Sequence, residues 1–305
     1  MFKIKILEFG FVPYIIGTRY NNYNIEFINK TTNLIIIRKN FKEIKKNDFD
    51  ILMVNSDQTW RKFDQHFYDY GFLRFAKNWN IKKFVYGASI GFDYWPFTKR
   101  EDKIMRNLLK NFNGISVREK GSINLIKKHL GITPEFVLDP TFLINKKYYL
   151  ELIKDYKFNK TYNNNYIFIY TLSNYTSFNY INEFIKMIKN KLNLKIYDYK
   201  LHNYSKIEDF IYYIYNCKAV VTNSFHGTVF SILFNKSFVS FHTPEYPKER
   251  LKSLGSLLNI QNRIFNHYQK PDINLLNTPL DINKTLLDYF INKSINFLKK
   301  NLDIS

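Results

Sequence analysis

Apolar and polar positions along this 305-residue chain fall into short runs with two alternating spacings. Lys3–Phe9, Asn33–Ile37, Phe49–Val54, Lys83–Tyr86, Gly114–Val117 and Glu135–Leu138 are brief apolar runs, and each reads as a strand. Between them, Lys103–Asn111 and Gly121–His129 repeat apolar residues every three or four positions, as one face of a helix does. A polar, Asn-rich stretch, Asn159–Asn165, then interrupts the pattern. Beyond it the strands Tyr166–Tyr170, Leu194–Tyr197 and Ser237–Phe241, with an apolar, β-branched run that begins at Ala219, alternate with helical patterns at Tyr180–Leu192, Ile207–Asn216, Thr228–Phe234 and Glu249–Leu258. A long amphipathic helix is predicted at Asp281–Leu302. Strands alternating with helices predict parallel sheets with helices on their faces, an α/β fold. The Asn-rich stretch divides it into 1–158 and 159–305.

Four strands of the first half end in polar clusters: Asn55-Ser56-Asp57-Gln58, Gly87-Ala88-Ser89-Ile90-Gly91, Arg118-Glu119-Lys120 and Asp139-Pro140-Thr141. Ligands of open parallel sheets bind outside the carboxyl ends of the strands. Asp57, Ser89, Arg118 and Asp139 are therefore expected to rim one crevice. Ser and Asp in such positions also cap helices, and Asp139 before Pro140 suits an N-cap. In the second half, the apolar, β-branched run that begins at Ala219 leads into a corner holding Ser224, His226 and Gly227, and a short apolar helix follows. The amides of a helix's first turn face outward at such a corner and can hold an anion. His226 adds a donor that titrates near neutral pH. Trp60 and Trp95 are read as packing residues, with a stacking platform for a sugar ring as the alternative.

Composition narrows the classes. An apolar fraction of 45% with 18% aromatics belongs to a globular protein. The formal charge of +20 suggests a polyanion partner, but the lysines are dispersed and no basic helix or aromatic RNA-binding signature accompanies them. Nucleic acid is not expected; attraction for small anions, or peripheral contact with an anionic membrane surface, is. The one cysteine, Cys217, forms no intrachain disulfide, which suits the reducing cytoplasm. No apolar run approaches the roughly 20 residues that span a bilayer. Glu8 and Pro13 break the run behind Lys3 and Lys5, so it reads as a strand and not a leader.

Taken in order, Asn55-Ser56-Asp57-Gln58-Thr59-Trp60, Tyr86-Gly87-Ala88-Ser89-Ile90-Gly91, Ser116-Val117-Arg118-Glu119-Lys120, Val137-Leu138-Asp139-Pro140-Thr141 and Thr222-Asn223-Ser224-Phe225-His226-Gly227-Thr228 resemble the motifs of the polysaccharide pyruvyl transferases. Arg250-Leu251-Lys252-Ser253-Leu254 and Ser294-Ile295-Asn296-Phe297-Leu298 extend the resemblance to roughly Phe49–Leu302. Asn55 stands where the family has Gly. The Gly-rich opening loop is replaced by Gly10, Gly17-Thr18-Arg19-Tyr20 and Asn22-Tyr23-Asn24.

The resemblance implies two Rossmann-like domains facing across a cleft, similar to the GT-B glycosyltransferases. It implies phosphoenolpyruvate as donor, a glycan or lipid-linked sugar as acceptor, a cyclic ketal as product, and neither metal nor cofactor. Arg118 and His226 would contact the donor, with Lys248 or Arg250 as a further basic residue. A planar guanidinium suits the carboxylate or phosphate of that donor. His226 is expected as the acid or as a phosphate clamp, with the amides of Gly227 and Thr228 on the phosphate and Ser224 at the corner. Asp57 is expected to orient or deprotonate the acceptor hydroxyl, and Ser89, Glu119 and Asp139 to line the substrate site. A glycosyltransferase using a nucleotide sugar, and an anion- or glycan-binding member without activity, remain the alternatives.

Overall fold

Every strand pair among the described residues is parallel, because the connections between paired strands return the chain to the same end. The computed structural model describes residues 5–9, 33–37, 41, 44–62, 65–156, 164–172, 179–199, 206–243 and 249–304, the first two segments as backbone only. Strands β1 (Lys5–Phe9) and β2 (Asn33–Ile37) pair with each other. The family's opening-loop positions, Gly10 to Asn24, lie outside the described residues, as does Lys248. Strands β3 (Ile51–Val54), β4 (Lys82–Ala88), β5 (Gly114–Val117) and β6 (Glu135–Phe136) form a four-stranded sheet in that order. Helices α1 (Phe67–Phe72), α2 (Lys99–Leu109) and α3 (Lys120–Leu130) connect them. Right-handed crossovers that always step the same way place these helices on one face. There Leu52, Val54 and Val85 meet Met105, Leu109, Ile126 and Leu130.

After α4 (Lys146–Glu151), the second half builds five strands: β7 (Tyr166–Tyr170), β8 (Lys195–Asp198), β9 (Ala219–Thr222), β10 (Ser237–His242) and β11 (Ile264–Asn266). Their order is β11-β10-β9-β7-β8. Helices α5 (Asn179–Lys191), α6 (Ile207–Asn216), α7 (Phe225–Leu233) and α8 (Glu249–Leu258) are interleaved. Ile167, Ile169, Val221 and Val239 pack with Phe184, Ile185 and Ile188 of α5, and Phe168, Val220 and Phe238 pack with Phe210, Ile214 and Val229. Both faces of the central strands β7, β9 and β10 are thus apolar, as a doubly covered parallel sheet requires. The order reverses between β7 and β9, and the carboxyl ends of that pair form the crevice where such sheets bind ligands.

The α/β alternation predicted from the sequence is what these sheets realise. α1, α4 and β11 had no counterpart in the pattern. The helix after β9 begins at Phe225, three residues ahead of the apolar periodicity, because Ser224 caps it.

The final helix, α9 (Lys284–Leu302), lies against the four-stranded sheet. Its Phe297 ring centroid lies 6.3 Å from that of Phe84 and 6.1 Å from that of Tyr86, on the sheet face that α1–α3 leave open. Ser294 Oγ accepts the Leu138 amide at 2.9 Å. Gly114 permits the approach: a Cβ there would lie 2.4 Å from Asn301 Oδ1. In the other direction, Tyr149 of α4 packs edge-on against Phe230, 5.1 Å away, in the second half. The two halves are therefore laced together at both ends. Phe297→Ala is expected to lower the unfolding free energy by about 3 kcal/mol in urea titration; an unchanged midpoint would mean that α9 does not hold this sheet.

Candidate active site

The corner after β9 is built by short hydrogen bonds. Thr222 Oγ1 donates to the Tyr170 carbonyl at 2.6 Å, tying β9 to β7, and accepts the Ser224 amide at 3.0 Å. Ser224 Oγ accepts the Gly227 amide at 3.3 Å, and the Ser224 carbonyl accepts the Thr228 amide at 3.1 Å. Thr228 Oγ1 lies 2.8 Å from Ser240 Oγ on β10. A Cβ at Gly227 would sit 2.4 Å from Thr222 Oγ1, so only glycine lets α7 come this close to its strand. Ser224, Gly227 and Thr228 thus shape the corner itself. The Gly227 and Thr228 amides, expected to face a phosphate, are spent on Ser224. The first two helical residues, Phe225 and His226, carry the amides that have no intrahelical acceptor.

Opposite this corner, β5 delivers Arg118, whose side chain is 1% exposed. Its Nη2 donates to Asp57 Oδ1 at 2.6 Å, and its Nη1 makes a short bond to Asp139 Oδ2. Ser56 Oγ lies 3.4 Å from Nη1 and donates to the Gly87 carbonyl at 3.0 Å. Glu119 Oε1 stands 3.5 Å from Arg118 Nε, without the alignment of a hydrogen bond. Asp139 caps the short helical turn after it, accepting the Thr141 amide at 3.1 Å and the Thr141 hydroxyl at 2.7 Å. Asp139 is thus the N-cap expected from the sequence, and the same carboxylate also holds Arg118.

The two halves meet at these charges. His226 Nε2 lies 3.7 Å from Asp139 Oδ2, the oxygen that Arg118 also holds. Arg250, the second residue of α8, places Nη1 3.8 Å from Asp57 Oδ1. Both guanidiniums sit over the Phe225 ring, Arg118 at 4.9 Å and Arg250 at 5.6 Å from its centroid, in cation–π geometry. Ser89, which follows β4, is fully buried; its amide donates to the Asp57 carbonyl at 3.0 Å. Arg118 Nε, Arg250 Nε and Thr171 Oγ1 are buried with no hydrogen-bond partner among the described residues. Polar atoms left this way cost stability unless something else satisfies them.

Electrostatics follow from the packing. The crowding of the crevice walls works to raise the Asp57 carboxyl although its side chain is 62% exposed, but Arg118, His226 and Arg250 outweigh it and hold the group below 3.8. Burial acts likewise on Asp139, where the nearby His226 and Arg118 reverse it more strongly. Burial would lower the Arg118 guanidinium, yet Asp57, Asp139 and Glu119 raise it further. Arg250 goes the other way: burial, with the repulsion of Arg118, lowers it, and Asp57 and Glu119 offset this only in part. Glu119 goes the other way from the aspartates: burial lifts it above 4.5 despite Arg118.

A family model described as polysaccharide pyruvyl transferase matches residues 3–243, reaching back well before Phe49, where the motifs begin. The chain belongs to that family. No curated protein matches it. The activity this supports is transfer of pyruvyl groups onto polysaccharide.

For this pyruvyl transferase, Asp57, Ser89, Arg118, Glu119, Asp139, His226 and Arg250 gather into one region, while Lys248 lies outside the described residues. Ser56, Phe225 and Thr171 were not singled out from the sequence. Ser56 and Phe225 stand inside the motifs quoted for the family, so position alone pointed to them. Trp60 is a packing residue, 1% exposed, its Nε1 donating to the Gly71 carbonyl at 2.8 Å. Trp95 is held by Asp102 at 2.8 Å and stacks on His129. Among the described residues no group of three or more His, Cys, Asp or Glu side chains is placed to hold a metal ion, and no helix is long and apolar enough to cross a membrane.

Asp139 titrates below 3.8 in the folded chain, so its contribution to stability is present above that pH and is lost as pH falls toward the folded value. The raised Glu119 contributes with the opposite sign: its share is present below pH 4.5 and lost as pH rises. Asp139→Asn is expected to cost about 3 kcal/mol at neutral pH, because it strips a buried guanidinium of a partner. Urea unfolding should show that deficit shrinking below pH 3.8; a deficit independent of pH would contradict the pairing.

Proposed function

We propose that this chain moves pyruvate from phosphoenolpyruvate onto two hydroxyls of a glycan sugar, forming a cyclic ketal and releasing phosphate. One hydroxyl oxygen bonds to C2 of the donor as its methylene carbon takes a proton. The second hydroxyl oxygen then bonds to C2 as the C2–O bond to phosphate breaks. Of the two hydroxyl protons, one is matched by the new methyl hydrogen and the other leaves with phosphate. The observation that supports this reading most is that His226 from one half and Arg118 from the other reach the same Asp139 oxygen. Groups that close together can grip a single small dianion.

In this reading His226 faces the phosphate, as acid or clamp, beside the amides of Phe225 and His226. Its side chain is 41% exposed and so reachable by substrate. Arg118 and Arg250 offset the donor's carboxylate and the charge that develops on the leaving phosphate. Asp57, 62% exposed, is the carboxylate that an acceptor hydroxyl can approach. The scheme calls on no metal ion. Residues 1–158 and 159–305 then act as acceptor and donor lobes of a GT-B-like pair. A cytoplasmic setting suits the chain, with a lipid-linked acceptor presented at an anionic membrane surface to its +20 charge.

With phosphoenolpyruvate and a glycan acceptor, the protein is expected to release phosphate and leave acid-labile pyruvate on the glycan. His226→Ala should slow turnover by about 10²–10⁴-fold. A wild-type chain that leaves phosphoenolpyruvate intact with every glycan offered, or that instead releases a nucleoside diphosphate from a nucleotide sugar, would overturn the reading.

A further inference from the structure

Two of the three carboxylates around Arg118 are built in. Asp139 and Glu119 are each 1% exposed, and Asp139 is further tied to the Thr141 amide and hydroxyl. Asp57 differs on every count. Its side chain is 62% exposed, and among the described residues its carboxylate contacts only Arg118 Nη2 at 2.6 Å and Arg250 Nη1 at 3.8 Å, with His226 acting on it electrostatically. Its backbone, by contrast, is pinned. Asp57 adopts φ 87° in a one-residue bridge to Ala88, and its carbonyl accepts the Ser89 amide. The side chain can therefore turn outward about its own bonds while the chain stays in place.

We propose that the Asp57 carboxylate is an internal occupant of the anion site, seated on Arg118 and Arg250 until the donor's own anionic group displaces it. The proposal rests on the reading of this crevice as the donor site. Displacement is cheap for Asp57, because an exposed carboxylate regains water as it leaves. It gives the incoming anion the guanidinium edges that Asp57 vacates, with the buried Arg250 Nε beside them. It also sets an order. Once off the guanidiniums, the carboxylate loses the charges that hold its proton affinity down, and it becomes a better acceptor for the proton of a sugar hydroxyl. Asp57 is thus released for the acceptor only when the donor is bound.

The test is calorimetric titration of the full chain with inorganic phosphate. Asp57→Asn and Asp57→Gly both tolerate a positive φ. Each is expected to bind phosphate about tenfold more tightly than wild type, since the competing charge-assisted bond is gone. Asp93→Asn, which removes an exposed carboxylate from the neighbouring loop, controls for net charge and should change affinity by less than about twofold. Equal or weaker binding by the Asp57 variants, or an equal gain in Asp93→Asn, overturns the displacement and leaves the donor site standing. Phosphate binding by neither wild type nor variants overturns both.

Discussion

Burying the Arg118 guanidinium, whose side chain is 1% exposed, is tolerable only because carboxylates from separate loops meet it at hydrogen-bonding distance. Asp57 comes from the end of β3, Asp139 from the turn after β6, and Glu119 from the residue beside it. Holding these three together requires the four strand ends to stand in register, which is what the β3-β4-β5-β6 order supplies. The second half adds His226 and Arg250 to the same charges, and Phe225 lies beneath both guanidiniums. The charge network is therefore at once a seam between halves and the place where an anion would be bound.

The seam is reinforced by packing remote from it. α9 closes the exposed face of the four-stranded sheet, and α4 packs Tyr149 into the core of the five-stranded one. Lys120 donates its amide to Ser253 Oγ on α8 at 3.0 Å, directly beside Arg118 and Glu119. Arg118 and Arg250 are thereby fixed relative to each other by backbone, and their repulsion is absorbed by Asp57 between them. That pre-organisation is what electrostatic catalysis needs, since both guanidiniums stand in place before any substrate arrives.

Much of this could be read from the chain alone, for identifiable reasons. Strands buried on both faces, such as Tyr166–Tyr170 and Ala219–Thr222, are short unbroken apolar runs, and their ends are sharp. The gathering of Asp57, Ser89, Arg118 and Asp139 followed from one rule, that parallel strands deliver their carboxyl ends to one edge. Short elements escaped. Phe67–Phe72 spans fewer than two turns, too few to display a helical period, and Ile264–Asn266 has only three residues. Which amides of α7 remain for a ligand was also illegible, because it depends on Ser224 capping Gly227 and moving the helix start to Phe225. The pairing of Arg250 with Asp57 joins residues nearly two hundred positions apart; no local pattern encodes it.

Convergence of both halves on one small dianion is the claim from which the chemistry follows. A crystal structure of the protein with phosphoenolpyruvate bound tests it most directly. The account predicts one donor molecule held between the His226 side chain and the two guanidiniums, with the Asp57 carboxylate turned out toward solvent. A donor bound away from Arg118 and Arg250, or touching residues of one half only, would contradict it.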